Sequence, residues 1–131
     1  LSPDTAVYTV EPAGHDDHAR SLAARRRVSN AETTSPSICD ALLAPTPGEL
    51  TFAVNRDRLA GGLSVSDSAV HQAVRTAFES LKLVVEPSGA VALAAALREE
   101  IPSRAATIGV VLSGANVDPE AHADLVSRRT N

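Results

Sequence analysis

One helix-length segment limits the possible folds of this chain more than any other. The segment from Ala90 to Leu97 is apolar without interruption, and it follows the run Glu86 to Gly89, whose proline suits the first turn of a helix. Apolar residues fall on nearly every side of such a helix, so other elements must cover it all round. The segment is far shorter than the about 20 residues that cross a bilayer. It therefore predicts a central helix in a layered domain.

Strand-like segments alternate with helical segments along the chain. Ala6 to Val10 is β-branched and apolar, Leu63 to Val65 predicts a second short strand, and Thr107 to Leu112 is typical of a strand buried on both faces. This alternation predicts an α/β fold with an open, mainly parallel sheet flanked by helices. Three short strands leave both edges of a sheet exposed, so we expect neighbouring strands from another part of the polypeptide.

Hydrophobic periodicity predicts the helices. It is clearest over Val70 to Leu81, where apolar residues recur at helical spacing and Ser66 or Asp67 can cap the start. A first helix is expected from about His15 to the arginine run Arg25 to Arg27, whose charges suit a helix C-terminus. Further helical segments are predicted over Glu49 to Ala60, Pro119 to Arg128 and, as a short piece, Ile38 to Leu43.

Length and charge limit the partners of the chain. Its 131 residues suit one domain, so we expect residues 1–131 to contain no second domain. The 12 Lys+Arg against 16 Asp+Glu leave a net charge of −4. A nucleic-acid surface needs clustered positive charge, which this balance does not provide. The first residues also lack the basic start and apolar core of a secretion signal. We therefore expect neither nucleic acid nor membrane as a partner.

Cysteine and methionine usage add two expectations. Cys39 is the single cysteine and cannot form an internal disulfide, which favours a cytoplasmic protein. It lies in an apolar segment without a basic neighbour, so we expect a small core residue and not a nucleophile. Methionine is absent and the chain begins at Leu1, which we interpret as a piece of a longer protein.

Ligands of open α/β sheets gather beyond the carboxyl ends of the strands, which directs attention to the turns. Ser113 to Asn116 follows the most apolar predicted strand, and its small residues allow either a ligand to approach the backbone or simply a tight turn. Glu86 to Gly89 places an acidic residue at the positive end of a helix dipole, which equally suits an ordinary helix start.

A third turn, Glu11 to Asp17, is rich in acidic groups. A glutamate and an aspartate flanking this loop could share a hard cation through oxygen ligands, with a backbone carbonyl and waters completing the shell. Zinc binding through His15 and His18 is a weaker alternative, because no cysteine or third histidine lies close by. A solvated acidic helix start explains the same residues, and local sequence leaves these alternatives open.

The other reactive side chains offer little for nucleophilic catalysis. His71 and His122 fall on predicted helices and are expected at the surface, and Lys82, the only lysine, is expected to be a solvated charge near a helix end. The chain contains neither a G-x-S-x-G elbow nor a Walker loop.

Several runs together resemble a known family. VEPSGAVALAAAL (Val85 to Leu97) and TIGVVLSGANVD (Thr107 to Asp118) carry most of the resemblance. VYTVEPAGHDD (Val7 to Asp17) and the stretch from Glu32 to Phe52 agree with it in order and spacing. These runs resemble the C-terminal half of the threonine dehydratase and serine racemase family, which are pyridoxal-phosphate enzymes of the tryptophan-synthase-β fold type. The resemblance implies the C-terminal portion of a large cofactor-binding domain.

The resemblance also implies site residues. Ser113 and Gly114 match the turn whose serine faces the cofactor's pyridine nitrogen, and Glu86 matches a glutamate near the cofactor. Glu11, Asp17 and the main-chain carbonyl of His15 match a divalent-cation site, for Mg²⁺ or Ca²⁺. A serine at the ring nitrogen gives a weaker electron sink than an aspartate, which suits β-elimination.

Two departures from the family pattern have consequences. Ala115 stands where the turn usually has a second glycine, which would cost on the order of 1 kcal/mol if this position needs positive φ. The Schiff-base lysine and the glycine-rich phosphate loop of the family lie upstream and have no counterpart here, since Lys82 does not match that context. We therefore expect the isolated chain to be inactive.

The resemblance implies a function for the parent protein. It is expected to be a threonine or serine dehydratase that converts a hydroxy amino acid into a 2-oxo acid and ammonia. A serine racemase-like isomerase, or a non-catalytic fragment that keeps only the fold, are the alternatives. The expected partners are the hydroxy amino acid, the N-terminal half of the same polypeptide and further copies in a homo-oligomer.

Overall fold

Two parallel strands form the sheet of this chain. The computed structural model describes residues 4–32, 34–98, 101–102 and 106–127. Strand β1 covers Tyr8–Pro12 and β2 covers Gly61–Val65. They pair in parallel, with Tyr8 opposite Gly61 and Pro12 opposite Val65. The predicted α/β fold with an open parallel sheet flanked by helices is confirmed. The carboxyl ends of the two strands lie side by side.

Five α-helices lie in the described ranges, together with two shorter helical turns. Their bounds are α1 Asp17–Ala24, α2 Glu49–Asn55, α3 Asp67–Thr76, α4 Pro87–Leu97 and α5 Pro119–Ser127. The short turns are a 3₁₀ turn, Asp40–Leu42, and a π-helical turn, Ala77–Leu81, that continues α3. None of the helices in the described ranges is long and apolar enough to span a membrane.

Helix α4 is the centre of the packing, as its composition predicts. It packs against α3 and both strands, and seven residues at its start and along its length are buried. Pro87 occupies the first turn, where its missing N–H costs nothing. Ser66 caps the start of helix α3, since its hydroxyl accepts the N–H of Ala69 at 3.3 Å. The core contains Cys39, Val65, Val70, Val74, Val85, Ala90 and Ala94.

Helix α1 covers the other face of the sheet, and a glycine permits its approach. A Cβ added to Gly62 would lie 2.6 Å from both the Cα and the Cβ of Ala19. The next residue along the strand, Leu63, points to the opposite face and packs on the core around α3 and α4. The sheet is therefore enclosed between α1 and α4.

Several predicted bounds were too long. Helix α1 ends at Ala24, and Arg25 adopts a left-handed conformation with φ 53° that terminates it before the rest of the arginine run. Helix α2 ends at Asn55, well before Ala60. The predicted helix over Ile38 to Leu43 is only the 3₁₀ turn.

The strand predicted over Thr107 to Leu112 is wrong. Residues 107–118 form neither helix nor strand. A strand is defined by hydrogen bonds to a neighbour, and within the described residues β1 pairs with β2 alone. Residues of β1 and of this segment line a common cavity of about 480 Å³, together with Leu63 of β2 and residues of α4. Its apolar sequence suits a buried strand, but the described structure supplies no neighbour for it.

Candidate functional site

Two of the three turns meet at the start of α4. The N–H of Glu86 donates to the carbonyl oxygen of Gly114 at 3.0 Å. A Cβ added to Gly114 would overlap Oε1 of Glu86, and one added to Gly89 would lie 2.9 Å from both the N and the O of Gly114. Side chains larger than hydrogen are therefore excluded on both sides of this contact. The family resemblance assigned Glu86 and Gly114 to one site, and the structure brings them together.

Ser113 lies at the edge of this contact with its side chain exposed. The hydroxyl is therefore available to a ligand as donor or acceptor. Ala115 does not need a positive φ, because the positive-φ residues in the described ranges are Gly14, Arg25 and Lys82. The expected penalty of its methyl group does not arise, and the N–H of Val117 donates to its carbonyl at 2.9 Å.

A hollow of about 490 Å³ opens beside these turns, and we call it the acidic hollow. Its lining includes the titratable residues Asp40, His71, Glu86, Asp118 and Asp124. Four carboxylates against one imidazole give it a negative potential, which favours a cationic group such as an ammonium. The carboxylate of Asp118 is already engaged, because its Oδ1 accepts the N–H groups of Glu120 and Ala121 at 2.9 and 3.1 Å.

Asp40 is held at this hollow by the first turn of α4. The buried hydroxyl of Ser88 accepts the N–H of Ala41 at 3.1 Å and donates to Oδ1 of Asp40 at 3.4 Å. Asp67 anchors the preceding residues, since its Oδ2 accepts the N–H of Ile38 at 3.2 Å. Sequence reasoning missed both Asp40 and Ser88. The only sequence signal for Asp40 is its position directly after Cys39, which was expected in the core.

Cys39 is a core residue, as predicted. Its side chain is fully buried, and burial raises the pKa of the thiol to about 11, against a smaller lowering from the hydrogen bond with Ser37. The thiol is therefore protonated near neutral pH and is a poor nucleophile.

The turn from Glu11 to Asp17 is hydrogen-bonded to the start of helix α1. The carboxylate of Glu11 accepts the N–H of His18 at 3.0 Å and the N–H of Ala19 at 2.8 Å, which satisfies donors at the start of α1. Burial raises the pKa of Glu11, the two hydrogen bonds oppose that rise, and the nearby charges of Asp17 and Asp16 add to it. This role of Glu11 could not be inferred from local sequence.

The other two residues of the predicted cation site are also held by the protein. Asp17 is buried and its Oδ1 accepts the side-chain N–H of Asn30 at 2.7 Å, so a fully solvated helix start is wrong for this residue. Nε2 of His15 lies 2.9 Å from the carbonyl oxygen of Ser35. No group of three or more His, Cys, Asp or Glu side chains within the described ranges is arranged to hold a metal. Two carboxylates flanking a carbonyl still have the oxygen chemistry that a hard cation prefers.

Three remaining side chains lie away from the site or differ from expectation. Lys82 is exposed at the end of the π-helical turn, and its Nζ donates to the carbonyl oxygen of Glu79 at 2.7 Å. His122 was expected at the surface, but it is only 7% exposed because α5 packs on α3. Its ring meets that of Phe78 edge to face at 5.4 Å. Nε2 of His18 contacts Nδ2 of Asn55 at 3.2 Å, which occupies one atom of the alternative zinc site.

Sequence comparison identifies the family of this chain. The family model described as pyridoxal-phosphate dependent enzyme matches residues 1–114. The chain belongs to this family. Among curated relatives, it is 39% identical to a serine racemase of Oryza sativa subsp. indica over 90% of the chain and 35% of that protein. It is 33% identical to an L-threo-3-hydroxyaspartate ammonia-lyase of Pseudomonas sp over 96% of the chain and 39% of that protein.

Solved structures agree with this assignment. A threonine deaminase from T.th. superposes with a TM-score of 0.83 at 41% identity, over 90% of this chain and 42% of that one. Maize serine racemase superposes with a TM-score of 0.82 at 38% identity, over 93% of this chain and 38% of that one. The resemblance to dehydratases and racemases is confirmed, and the chain spans well under half the length of these relatives.

Proposed function

We propose that this chain forms part of a pyridoxal-phosphate-dependent dehydratase that converts a small hydroxy amino acid into a 2-oxo acid and ammonia. The observation that carries the proposal is the contact between the Ser113–Gly114 turn and Glu86 at the first turn of α4. The contact leaves the hydroxyl of Ser113 exposed beside the first turn of α4, where a ligand can reach it.

The residues at this contact fit the cofactor. Gly114 and Gly89 keep side chains out of the turn, and the exposed hydroxyl of Ser113 can donate one hydrogen bond to the pyridine nitrogen. Glu86 holds the backbone of the turn. Pyridoxal phosphate, when bound, supplies the electron sink, and a serine partner leaves its ring nitrogen unprotonated. That weaker sink suits loss of a β-hydroxyl.

The acidic hollow supports an amino-acid substrate. Its carboxylates favour the substrate's ammonium group on electrostatic grounds, and Asp40 is positioned there by Ser88. A racemase acting on serine is the second candidate, supported by relatives named serine racemase. A non-catalytic protein that keeps only the fold is the third, and it predicts no turnover at all.

The cation remains part of the proposal. We propose that Mg²⁺ or Ca²⁺ binds Glu11, Asp17 and the carbonyl of His15, where it would offset the repulsion between the two carboxylates. Burial raises the pKa of Glu11 most, and the nearby charge of Asp17 raises it further, which supports this role. The cation would hold the β1–α1 turn in place without touching the substrate.

The proposed enzyme contains more polypeptide than this chain. The only lysine of this chain, Lys82, donates to the carbonyl oxygen of Glu79 at the end of a helical turn. We therefore propose that an N-terminal half supplies both the lysine that bonds the cofactor and the loop that binds its phosphate. We further propose that the whole enzyme is a cytoplasmic homo-oligomer.

An assay of the whole protein tests this function. Purified protein with pyridoxal phosphate is given L-threonine, L-serine or L-threo-3-hydroxyaspartate, and 2-oxo acid and D-serine are measured separately. We expect 2-oxo acid as the main product, and we expect Ser113→Ala to change the cofactor's absorbance and to lower kcat by about tenfold or more, through loss of the hydrogen bond to the pyridine nitrogen. D-serine as the main product would favour the racemase. Unchanged absorbance and kcat in the variant would make Ser113 only a turn residue.

A further inference from the structure

Helix α2 carries an exposed apolar face, which we call the α2 face. It consists of Leu50, Ala53 and Val54, which share one side of the helix because residues three and four apart are neighbours. Leu50 is 84% exposed and Val54 is 55% exposed, and Ala53 is exposed between them. Phe52, on the opposite side, is the buried residue of this helix. Adjacent apolar side chains left exposed in this way are typical of contact surfaces.

Opposite charges lie at the two ends of the α2 face. Glu49 stands in the first turn of α2 and Arg56 directly follows its last residue, and both are exposed. They lie on the same side of the helix because they are two turns apart. Asp57, further along the same helix, is neutralised by Arg56 at 3.3 Å and by Arg25 at 3.0 Å. The helix is therefore acidic at its start and basic at its end.

This arrangement is complementary to itself. In an antiparallel pair of α2 helices related by a two-fold axis, Glu49 of each copy would lie beside Arg56 of the other. Leu50 of one copy would lie near Val54 of the other. Ala53 would face its own counterpart near the axis, where a small side chain lets two helices approach to about 8 to 10 Å. A parallel pair would bring like charges together and is disfavoured.

We propose that the α2 face binds the α2 face of a second copy of the protein in an antiparallel two-fold contact. The inference names an interface for the homo-oligomer proposed above, and it rests on that part of the proposed function. A second copy supplies both complementary charges by symmetry, whereas any other occupant would have to carry the same charges in reverse order. Two short helices bury little area beside the about 1,200 Å² of a typical specific interface, so we expect weak, concentration-dependent association.

A symmetric disulfide tests the contact in the whole protein. Ala53→Cys places a thiol near the two-fold axis, where the thiols of two copies can meet. Cys39 is fully buried and does not compete. Under mild oxidation we expect more disulfide-linked dimer than in the wild type on a non-reducing gel. The control Glu120→Cys, in the exposed first turn of α5, should stay at the wild-type level. No additional dimer, or equal linkage of the two variants, would overturn the proposal.

Charge reversals test the antiparallel orientation. Glu49→Arg alone brings two arginines together at each end of the contact, and Arg56→Glu alone brings two glutamates together. We expect each single reversal to raise the dissociation constant, measured by sedimentation at several protein concentrations, by about fivefold or more. The double reversal restores opposite charges and should return the constant to within about twofold of the wild type.

The control for these variants is Glu120→Arg, which changes the net charge equally in another exposed helix turn and should leave association unchanged. Circular dichroism checks that each variant is folded. Single reversals without effect, or a double variant that associates no better than the single variants, would overturn the proposal.

Burial of the α2 face by the rest of the same polypeptide is the competing arrangement. Leu50→Glu distinguishes the two, because Leu50 is exposed to any partner of this face. We expect this variant to weaken association by about tenfold or more and to leave the unfolding of dilute, dissociated protein little changed. Lower stability of the dilute protein without weaker association would overturn the proposal.

The outcome is separable from that of the proposed catalysis. Linked dimers of Ala53→Cys in a protein that forms no 2-oxo acid would support the interface and reject the dehydratase. Turnover by a protein whose association is indifferent to every α2 variant would reject the interface and keep the dehydratase.

Discussion

At the scale of single residues, the contact between Gly114 and Glu86 decides whether the candidate site can form. The carboxylate of Glu86 occupies the position that any side chain on residue 114 would take. It makes no capping hydrogen bond to α4 and is directed at the turn instead. The turn and the helix start therefore act as one unit.

Substituting Gly114→Ala tests this contact. The new methyl group would overlap Oε1 of Glu86, so the turn and the carboxylate must move apart. We expect a loss of about 1 to 3 kcal/mol in the free energy of unfolding, measured by urea denaturation. The matched control is Gly109→Ala in the same segment, where an added Cβ meets nothing within 4 Å. Equal stability of the two variants would contradict the described contact.

The thiol of Cys39 provides a pH test of the core. Its folded pKa is about 11 against 9.0 for the ordinary thiol. Below about pH 9 both folded and unfolded forms keep the proton, and above it the unfolded form loses its proton first. The free energy of unfolding should therefore fall as the pH rises from about 9 to about 11, by up to about 1.4 kcal/mol per pH unit.

Urea denaturation of the wild type and of Cys39→Ala between about pH 8 and pH 10 measures this slope. The variant lacks the titrating group, so its stability should fall less over the same range even if its stability is lower throughout. Parallel pH profiles for the two proteins would show that the thiol is not protected by burial.

At the scale of elements, the β1–α1 turn links the sheet to the first helix. Glu11 at the end of β1 accepts two N–H groups at the start of α1, and Asn30 connects Asp17 to the carbonyl of Ala44 at 3.0 Å. Gly62 lets α1 lie directly on the sheet. A cation bound in this turn would therefore stabilise the docking of a whole helix.

Thermal unfolding of the whole protein with Mg²⁺, with Ca²⁺ or with excess chelator tests that cation. Preferential binding to the folded form stabilises it by about 2.7 kcal/mol at a cation concentration about 100 times the Kd, so the midpoint should rise by about 2 to 4 °C or more. Glu11→Gln and Asp17→Asn should abolish the difference. The exposed Glu49→Gln in the first turn of α2 is the control and should keep it. A wild-type midpoint indifferent to both cations would exclude the site.

The elements also show what sequence can and cannot predict. Helix α4 was predictable because its apolar run and Pro87 are local signals. The residues 107–112 carry an equally clear apolar pattern, yet pairing depends on a neighbour that local sequence does not contain. His122 looked like a surface residue because its contact with Phe78 joins distant parts of the chain. The Glu86–Gly114 contact became predictable only through the family resemblance of both runs.

At the scale of the whole molecule, the described structure holds part of what the proposed enzyme requires. The exposed Ser113 beside Gly114, the acidic hollow and the two carboxylates of the β1–α1 turn are present. No lysine lies near these features, because the only lysine, Lys82, lies at the end of the π-helical turn and donates a hydrogen bond to the carbonyl oxygen of Glu79.

Borohydride reduction in the presence of pyridoxal phosphate, combined with a turnover assay on threonine and serine, tests this account most directly. The isolated chain should form no 2-oxo acid, and mass spectrometry should find Lys82 largely unlabelled. The whole protein should turn over substrate and carry the label on a lysine outside this chain. Stoichiometric labelling of Lys82 in the isolated chain, accompanied by turnover, would contradict the account.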